Sequence, residues 1–378
     1  MRTLYLDYNA TTPIAPVVQE AMLPFLSEHY GNPSSNHSLG RASFEAVAYA
    51  RENIAELLGC STEEIFFTSG GSESNNLAIK GITLRKFPHT RGHVVISAVE
   101  HPSVSEPAHY LQRLGFEVSV VKCDRTGLIK VDEFQAALRP NTCLTSVIHA
   151  NNEIGTVQPI RALADLCQQR EIPFHTDASQ SVGKLPVSVD ELGVDLLTIA
   201  GHKMYAPKGV GVLFVRRGIA LEPLIHGGGQ EGGLRSGTEN VSHIVGLGRA
   251  AQLILSHQSE LAPRLMLLRD RLESQLAEGL GPGMTTNGHP QQRLPNTLSI
   301  NFPDVSGAEL LRRIPELLAS TGSACHSSQH SLSTTLTAIG LDAEIAQGTV
   351  RLSVGWFTTE EEVDRAANLL LTTWENMI

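Results

Sequence analysis

The 378-residue chain predicts an α/β protein, with a large domain on a mostly parallel, doubly wound sheet and a smaller α+β domain behind it. Three observations carry this. Short β-branched runs alternate with stretches of helical period through the first two thirds of the chain. Two of the runs, ending at Asp177 and near Lys203, deliver a charged residue where the strand stops. Past about residue 255 the pattern changes to strand 296–302, helix 306–318, strand 349–354 and helix 359–376. The length suits two domains at roughly 100 to 200 residues each. We place the large domain at 16–255 and the small one at 256–378, with an N-terminal arm, 1–15, packing on the small domain.

A helix is expected over 17–29, because Val18, Met22, Phe25 and Leu26 share one face. GNPSSNHSLGR (31–41) is a loop by its Gly, Pro, Ser and Asn content, and a helix follows over 42–58. Strand 65–68 then runs into the turn Ser69-Gly70-Gly71-Ser72 and a helix over 73–82. A strand, a glycine turn and a helix N-terminus present backbone N–H groups and a positive dipole end, which suit a phosphate. Alternation continues through strand 93–100, helix 103–114, strand 116–123, helix 132–138, strand 142–150 and helix 160–170. KGVGVLFVRRG gives a strand after Lys203, and HGGGQEGGLRSGTEN (226–240) is a glycine-rich loop. A long amphipathic pattern over 244–280, interrupted near Pro263, connects to the small domain.

Hydrophobic content of 41% with 18% charged residues describes a chain able to bury a core. A net charge of −10 disfavours nucleic acid and anionic membrane as partners. No apolar run reaches membrane-spanning length and the N-terminus has no basic-then-apolar signal, so a cytoplasmic location is expected. The five cysteines include no C-x-x-C pair, which argues against a disulfide framework or a closed zinc site.

The stretch His175–Lys203 holds the most chemistry. It brings an acid and a lysine to two strand ends, where an open α/β sheet lines its ligand crevice. Alone, the two would serve equally as a structural ion pair. Pyridoxal phosphate gives them another purpose: the lysine forms a Schiff base with the aldehyde and the acid keeps the pyridine nitrogen protonated. A free lysine titrates near ~10.4, so such a lysine needs burial or neighbouring cations to be neutral. His202 and Ser72 are plausible phosphate ligands.

With YLDYNATTP, GNPSS, FTSGGSESNNLAIKG, Glu100-His101, HANNEIGTVQPI, HTDASQSVGKLP, GHKMYAPKGVG, HGGGQE, RSGTEN, STGSACHSS and VRLSVG in this order, the chain resembles the cysteine desulfurases of the NifS/IscS type. These are class V aminotransferase-family enzymes of pyridoxal-phosphate fold type I. The resemblance implies Lys203 as the Schiff-base lysine, Asp177 on the pyridine nitrogen and Gln180 on the ring hydroxyl oxygen. It implies His101 stacked on the ring, where it also moves protons. Gly71, Ser72 and His202 would hold the phosphate, with Thr238 reaching in from the other subunit of a homodimer. Asn152 and Arg351 would bind the substrate carboxylate, Asn152 also touching the cofactor; an arginine fork pairs bidentately with such a group. Without the resemblance, His101 reads as a structural histidine and Arg351 as an edge charge.

Cys325 lies in STGSACHSS, a small, polar setting that suits an exposed loop, whereas the other four cysteines sit in or beside apolar or helical segments. A loop thiol can be deprotonated and attack, with His326 beside it. The family's matching cysteine takes the sulfur of L-cysteine as a persulfide, leaves alanine, and passes the sulfur to an acceptor or scaffold protein for iron–sulfur clusters or thiolated small molecules and tRNA. Cys325, His326 and His330 match no closed zinc spacing. His226-Gly-Gly-Gly lacks the G-x-S-x-G elbow of a lipase, and Gly209-Val210-Gly211 leads into a strand, unlike a dinucleotide fingerprint. The chain departs from the family at Ala200, where many relatives carry a phosphate-contacting serine, and at Trp356 in place of a common arginine. GSACHS leans toward selenocysteine lyases, the alternative reading. A non-catalytic scaffold binding the cofactor is more distant, and an aminotransferase, which needs no thiol, more distant still.

Overall fold

In the computed structural model, residues 3–87, 92–321 and 333–378 are described. Their strands are β1 (Leu4–Tyr5), β2 (Ile65–Thr68), β3 (His93–Ser97), β4 (Glu117–Val121), β5 (Thr142–Ser146), β6 (Phe174–Asp177), β7 (Leu196–Ala200), β8 (Gly211–Val215), β9 (Thr285–Asn287), β10 (Thr297–Asn301), β11 (Leu317–Leu318), β12 (Ser320–Thr321) and β13 (Thr349–Ser353). Strands β2 to β8 form the large sheet, in the order β2-β8-β7-β6-β5-β3-β4. Only β8 among them runs against the others: β3 pairs in parallel with β4 and β5, β5 with β6 and β6 with β7.

Side-chain alternation explains why helices cover both faces of this sheet. Val95, Val147, Leu197, Ile199, Val212 and Phe214 point into one core, which also takes Val47, Ile54 and Leu58 of the helix Ser38–Leu58. Val94, Ile96, Leu144, Leu196, Leu213 and Val215 point into the other, against Leu77, Ile79 and Ile82 of the helix Gly71–Lys86 and Val104 and Leu111 of the helix Pro102–Arg113. Near-continuous apolar runs are what a sheet buried on both faces requires.

The second sheet has the order β12-β13-β10-β9 and is antiparallel throughout. Its core joins Leu298, Ile300, Val350 and Leu352 to Val363, Ala366 and Leu370 of the helix Glu360–Glu375. Leu4 and Leu6 of the N-terminal arm enter this core, and β1 pairs in parallel with β11. One helix, Val241–Leu280, serves both regions. Its first half buries Ile244, Leu247 and Ile254 against the large sheet; its second buries Leu261, Leu265, Leu268, Leu272 and Leu276 against the small one.

Three local expectations change. Helix 17–29 is two pieces, Pro16–Met22 and Pro24–Ser27, because Pro24 has no N–H to continue the first and starts the second. Helix 306–318 stops at Arg312: Pro315 disfavours helical backbone before it, and Leu317 goes instead to the arm strand. The interruption expected near Pro263 is absent; the helix passes through an exposed Pro263 where it leaves one core for the other. No helix of the described residues is long and apolar enough to cross a membrane.

Candidate active site

Parallel pairing delivers the C-terminal ends of β3, β5, β6 and β7 to one edge of the large sheet, and β2 ends there too, because it and β7 both run against β8. The residues at or just beyond these ends are Gly71 and Ser72, His101, Asn152, Asp177 and Gln180, and Ala200, His202 and Lys203. All of them line one cavity of about 350 Å³, together with Asn9 and Ala10 of the arm and Arg351 of β13. A cavity of about 620 Å³ elsewhere holds Arg51 and Glu231, but these neutralise each other at 2.7 Å.

Lys203 ends a tight turn that follows β7. Gly201 is required in that turn, since a Cβ there would stand 2.9 Å from the Val210 carbonyl oxygen. Tyr205, two residues on, holds a left-handed backbone at φ 65°, fixed where Thr12 Oγ1 accepts its N–H at 2.9 Å and its own hydroxyl accepts Trp356 N–H at 2.7 Å. The Lys203 Nζ donates to the carbonyls of Asn9 at 2.5 Å and Ala10 at 2.8 Å. Burial first, then the Arg351 cation, pulls its pKa down to about 8, against the pull of Asp177 and Asp7.

Asp177 is buried, and its carboxylate accepts from Asn75 Nδ2 at 2.7 Å and Ser179 N–H at 2.9 Å. Gln180 is held by Lys184, whose Nζ donates to Gln180 Oε1 at 2.6 Å and Asn9 Oδ1 at 3.0 Å. Lys184 is a second buried lysine, behind the cavity wall; burial, then repulsion from Lys203 and Arg351, holds its pKa well below the usual lysine range. His101 lies at the cavity mouth. Its Nδ1 accepts Ser103 N–H at 3.1 Å, which leaves the proton of the neutral ring on Nε2. Burial lowers its pKa. His202 is pushed down to about 4 by burial and by Lys203 and Lys208, so it is a neutral ring that donates one hydrogen bond.

The corner expected to take a phosphate is a helix N-terminus with no side-chain cap, Gly70 preceding the helix at φ 145°. A Cβ on Gly71 would lie 3.2 Å from both the Ala200 Cβ and the Ser179 Oγ, so the glycine keeps this corner open. The Ser179 hydroxyl stands where Ala200 supplies none. Thr238 does not line this cavity; it faces one of about 180 Å³ with Thr68, Ser69 and Gly209. Cys325, with His326 and His330, lies outside the described residues. Arg351 gives Nη1 to the Asn152 carbonyl at 3.0 Å and Nη2 to Asp7 Oδ1 at 2.7 Å.

Sequence reasoning missed Asn9, Ala10, Ser103, Ser179, Lys184 and Asp7. Ser179, between Asp177 and Gln180 at a strand end, carried a usable signal. Asn9 and Asp7 act through contacts over 140 residues away in sequence, and no local pattern reports those.

The aminotransferase class-V family model matches residues 4–366. The chain belongs to the aminotransferase class-V family. Among class-V relatives it is 46% identical over 372 residues to a protein named cysteine desulfurase IscS from Dictyoglomus turgidum, covering 98% of this chain and 94% of that one. It is 42% identical over 370 residues to a mouse protein named cysteine desulfurase, covering 97% and 80%. A solved NifS-like protein superposes with a TM-score of 0.91 at 38% identity, covering 99% of each chain. A structure described as SspA in complex with cysteine has a TM-score of 0.83 at 38% identity, covering 94% of this chain and 100% of that one.

Proposed function

We infer that this class-V protein is a pyridoxal-phosphate-dependent cysteine desulfurase, converting L-cysteine to L-alanine and retaining the sulfur as a persulfide on Cys325. The observation that carries the reading is the cavity that Lys203, Asp177, Gln180, His202 and Arg351 share. Its donor set fits the cofactor: an open helix N-terminus for the phosphate, a desolvated carboxylate for a pyridinium, and a lysine whose lowered pKa makes its neutral form more accessible than that of a free lysine.

When bound, pyridoxal phosphate supplies an electron sink for the bonds around the substrate's α-carbon. Gly71 N–H, the Ser72 hydroxyl and the His202 ring would hold its phosphate, Lys203 its aldehyde, Asp177 its ring nitrogen and Gln180 its ring oxygen. Lys203 Nζ, freed from the aldehyde, would move the α-proton, and His101, whose Nε2 carries the ring proton, would assist proton transfer from the same cavity. Arg351, with Asn152, receives the substrate carboxylate. The Cys325 thiolate would then bond to the substrate sulfur while the carbon–sulfur bond breaks, the carbon keeping the bonding pair and taking a proton. The product is alanine, and an acceptor protein takes the persulfide sulfur. Thr238 acts across a homodimer, in the cytoplasm.

Cys325→Ala tests the reading. The variant keeps the cofactor's visible absorbance and releases no sulfide from cysteine in the presence of a thiol reductant; desulfuration at the wild-type rate would rule the persulfide route out.

A further inference from the structure

Arg351 is already occupied by a carboxylate. Its side chain is 11% exposed and that of Asp7 17%, and Nη2 lies 2.7 Å from Asp7 Oδ1. The same nitrogen donates to Ser320 Oγ at 3.0 Å, and Ser320 Oγ donates to Asp7 Oδ1 at 3.0 Å, closing a triangle. Nη1 is held by the Asn152 carbonyl, and Nε is buried with no partner among the described residues. A guanidinium offers a carboxylate two forked edges, Nε with Nη2 and Nη1 with Nη2. Both include Nη2, and both of its hydrogens are in use. An amino acid that docks its carboxylate bidentately must therefore take an Nη2 hydrogen from the joined Asp7–Ser320 pair, and its charge then stands against the Asp7 carboxylate.

We propose that Asp7 is an internal carboxylate that occupies Arg351 until the carboxylate of the incoming amino acid replaces it, making Asp7 a specificity residue of this cavity. The proposal rests on the reading that Arg351 receives that carboxylate. Exchange keeps Arg351 neutralised and aligned between turnovers, where an unpaired cation would be costly so far from water. It also sets a threshold: a ligand that offers the arginine only one weak contact does not dislodge Asp7, whereas a two-oxygen carboxylate does.

The test is calorimetric titration of the cofactor-loaded enzyme with L-alanine and with L-alaninamide, which has the amine but no carboxylate. In Asp7→Asn, which keeps the size and an acceptor for Ser320, alanine binds about tenfold tighter, the order of one charge-assisted contact no longer given up and one like charge removed. Alaninamide affinity stays at the wild-type value, a split that a general loosening of the arm does not produce. Arg351→Gln weakens alanine by at least about tenfold and alaninamide little. Unchanged alanine binding in Arg351→Gln overturns the placement of the carboxylate at Arg351, and the exchange with it. Weakened binding there, with Asp7→Asn at or below wild-type affinity for alanine, overturns the exchange alone.

Discussion

Glu100 places a carboxyl where water cannot reach it. Its Oε1 accepts from Ser97 Oγ at 2.5 Å and Ile148 N–H at 2.8 Å, and its Oε2 has no partner among the described residues. Burial raises its pKa from 4.5 to about 8. The folded state thus binds a proton that the unfolded chain releases; the stabilisation is complete below about pH 4.5 and is lost as pH rises to about 8. The amide in Glu100→Gln imitates the neutral acid. Chemical unfolding at a series of pH values should show wild-type stability falling relative to this variant between about pH 5 and 8. A constant difference across that range would mean that Glu100 does not carry the proton. His149 and His175 act in the opposite sense: burial pulls both down to about 4, so their contribution is present above 6.5 and lost as pH falls toward 4. At Lys203, substitution by Ala should leave the cofactor bound only non-covalently, removable by gel filtration and without the lysine-linked visible band. A covalent complex in that variant would disqualify Lys203.

The N-terminal arm is the element that joins the lysine to the small sheet. The Asn9 carbonyl accepts from both Lys203 Nζ and Gln180 Nε2. Its side chain accepts from Lys184 and Asn296 and donates to Thr297 Oγ1 at 2.8 Å and the Asn152 carbonyl at 3.1 Å. Asn9→Ala leaves Lys184 with one acceptor fewer in a buried place, a cost of about 1–3 kcal/mol for each unsatisfied group. Urea unfolding of the apo protein should register that loss, and the cofactor's dissociation constant should rise with it; an Asn9→Ala protein of wild-type stability would remove the arm from this role. The motif YLDYNATTP was legible as part of the family pattern. Its action was not, because Asn9 works through carbonyl and side-chain hydrogen bonds whose partners all lie more than 140 residues away in sequence.

Across the whole molecule, the large sheet was legible because its strands are short runs rich in β-branched and apolar residues that alternate with helical patterns and turn residues. Asp177 and Lys203 were legible because strand ends are where charges can stand beside a buried sheet. The broken helix at Pro24 and the strand at Leu317–Leu318 were not, since the first hinges on one proline and the second on a partner over 300 residues earlier in the chain. Exposed Leu23, Leu26, Tyr30, Phe44 and Tyr49 lie on neighbouring segments, joined where Ser43 Oγ donates to the His29 carbonyl. So much exposed apolar surface fits the proposed homodimer. Sedimentation should give twice the chain mass, and a monomer at micromolar concentration would contradict it. After brief incubation of the cofactor-loaded protein with L-cysteine and no reductant, mass measurement of its peptides should find one added sulfur atom on the peptide containing Cys325, and none on those containing Cys60, Cys123, Cys143 or Cys167. Alanine formed with no sulfur on the Cys325 peptide would contradict the account.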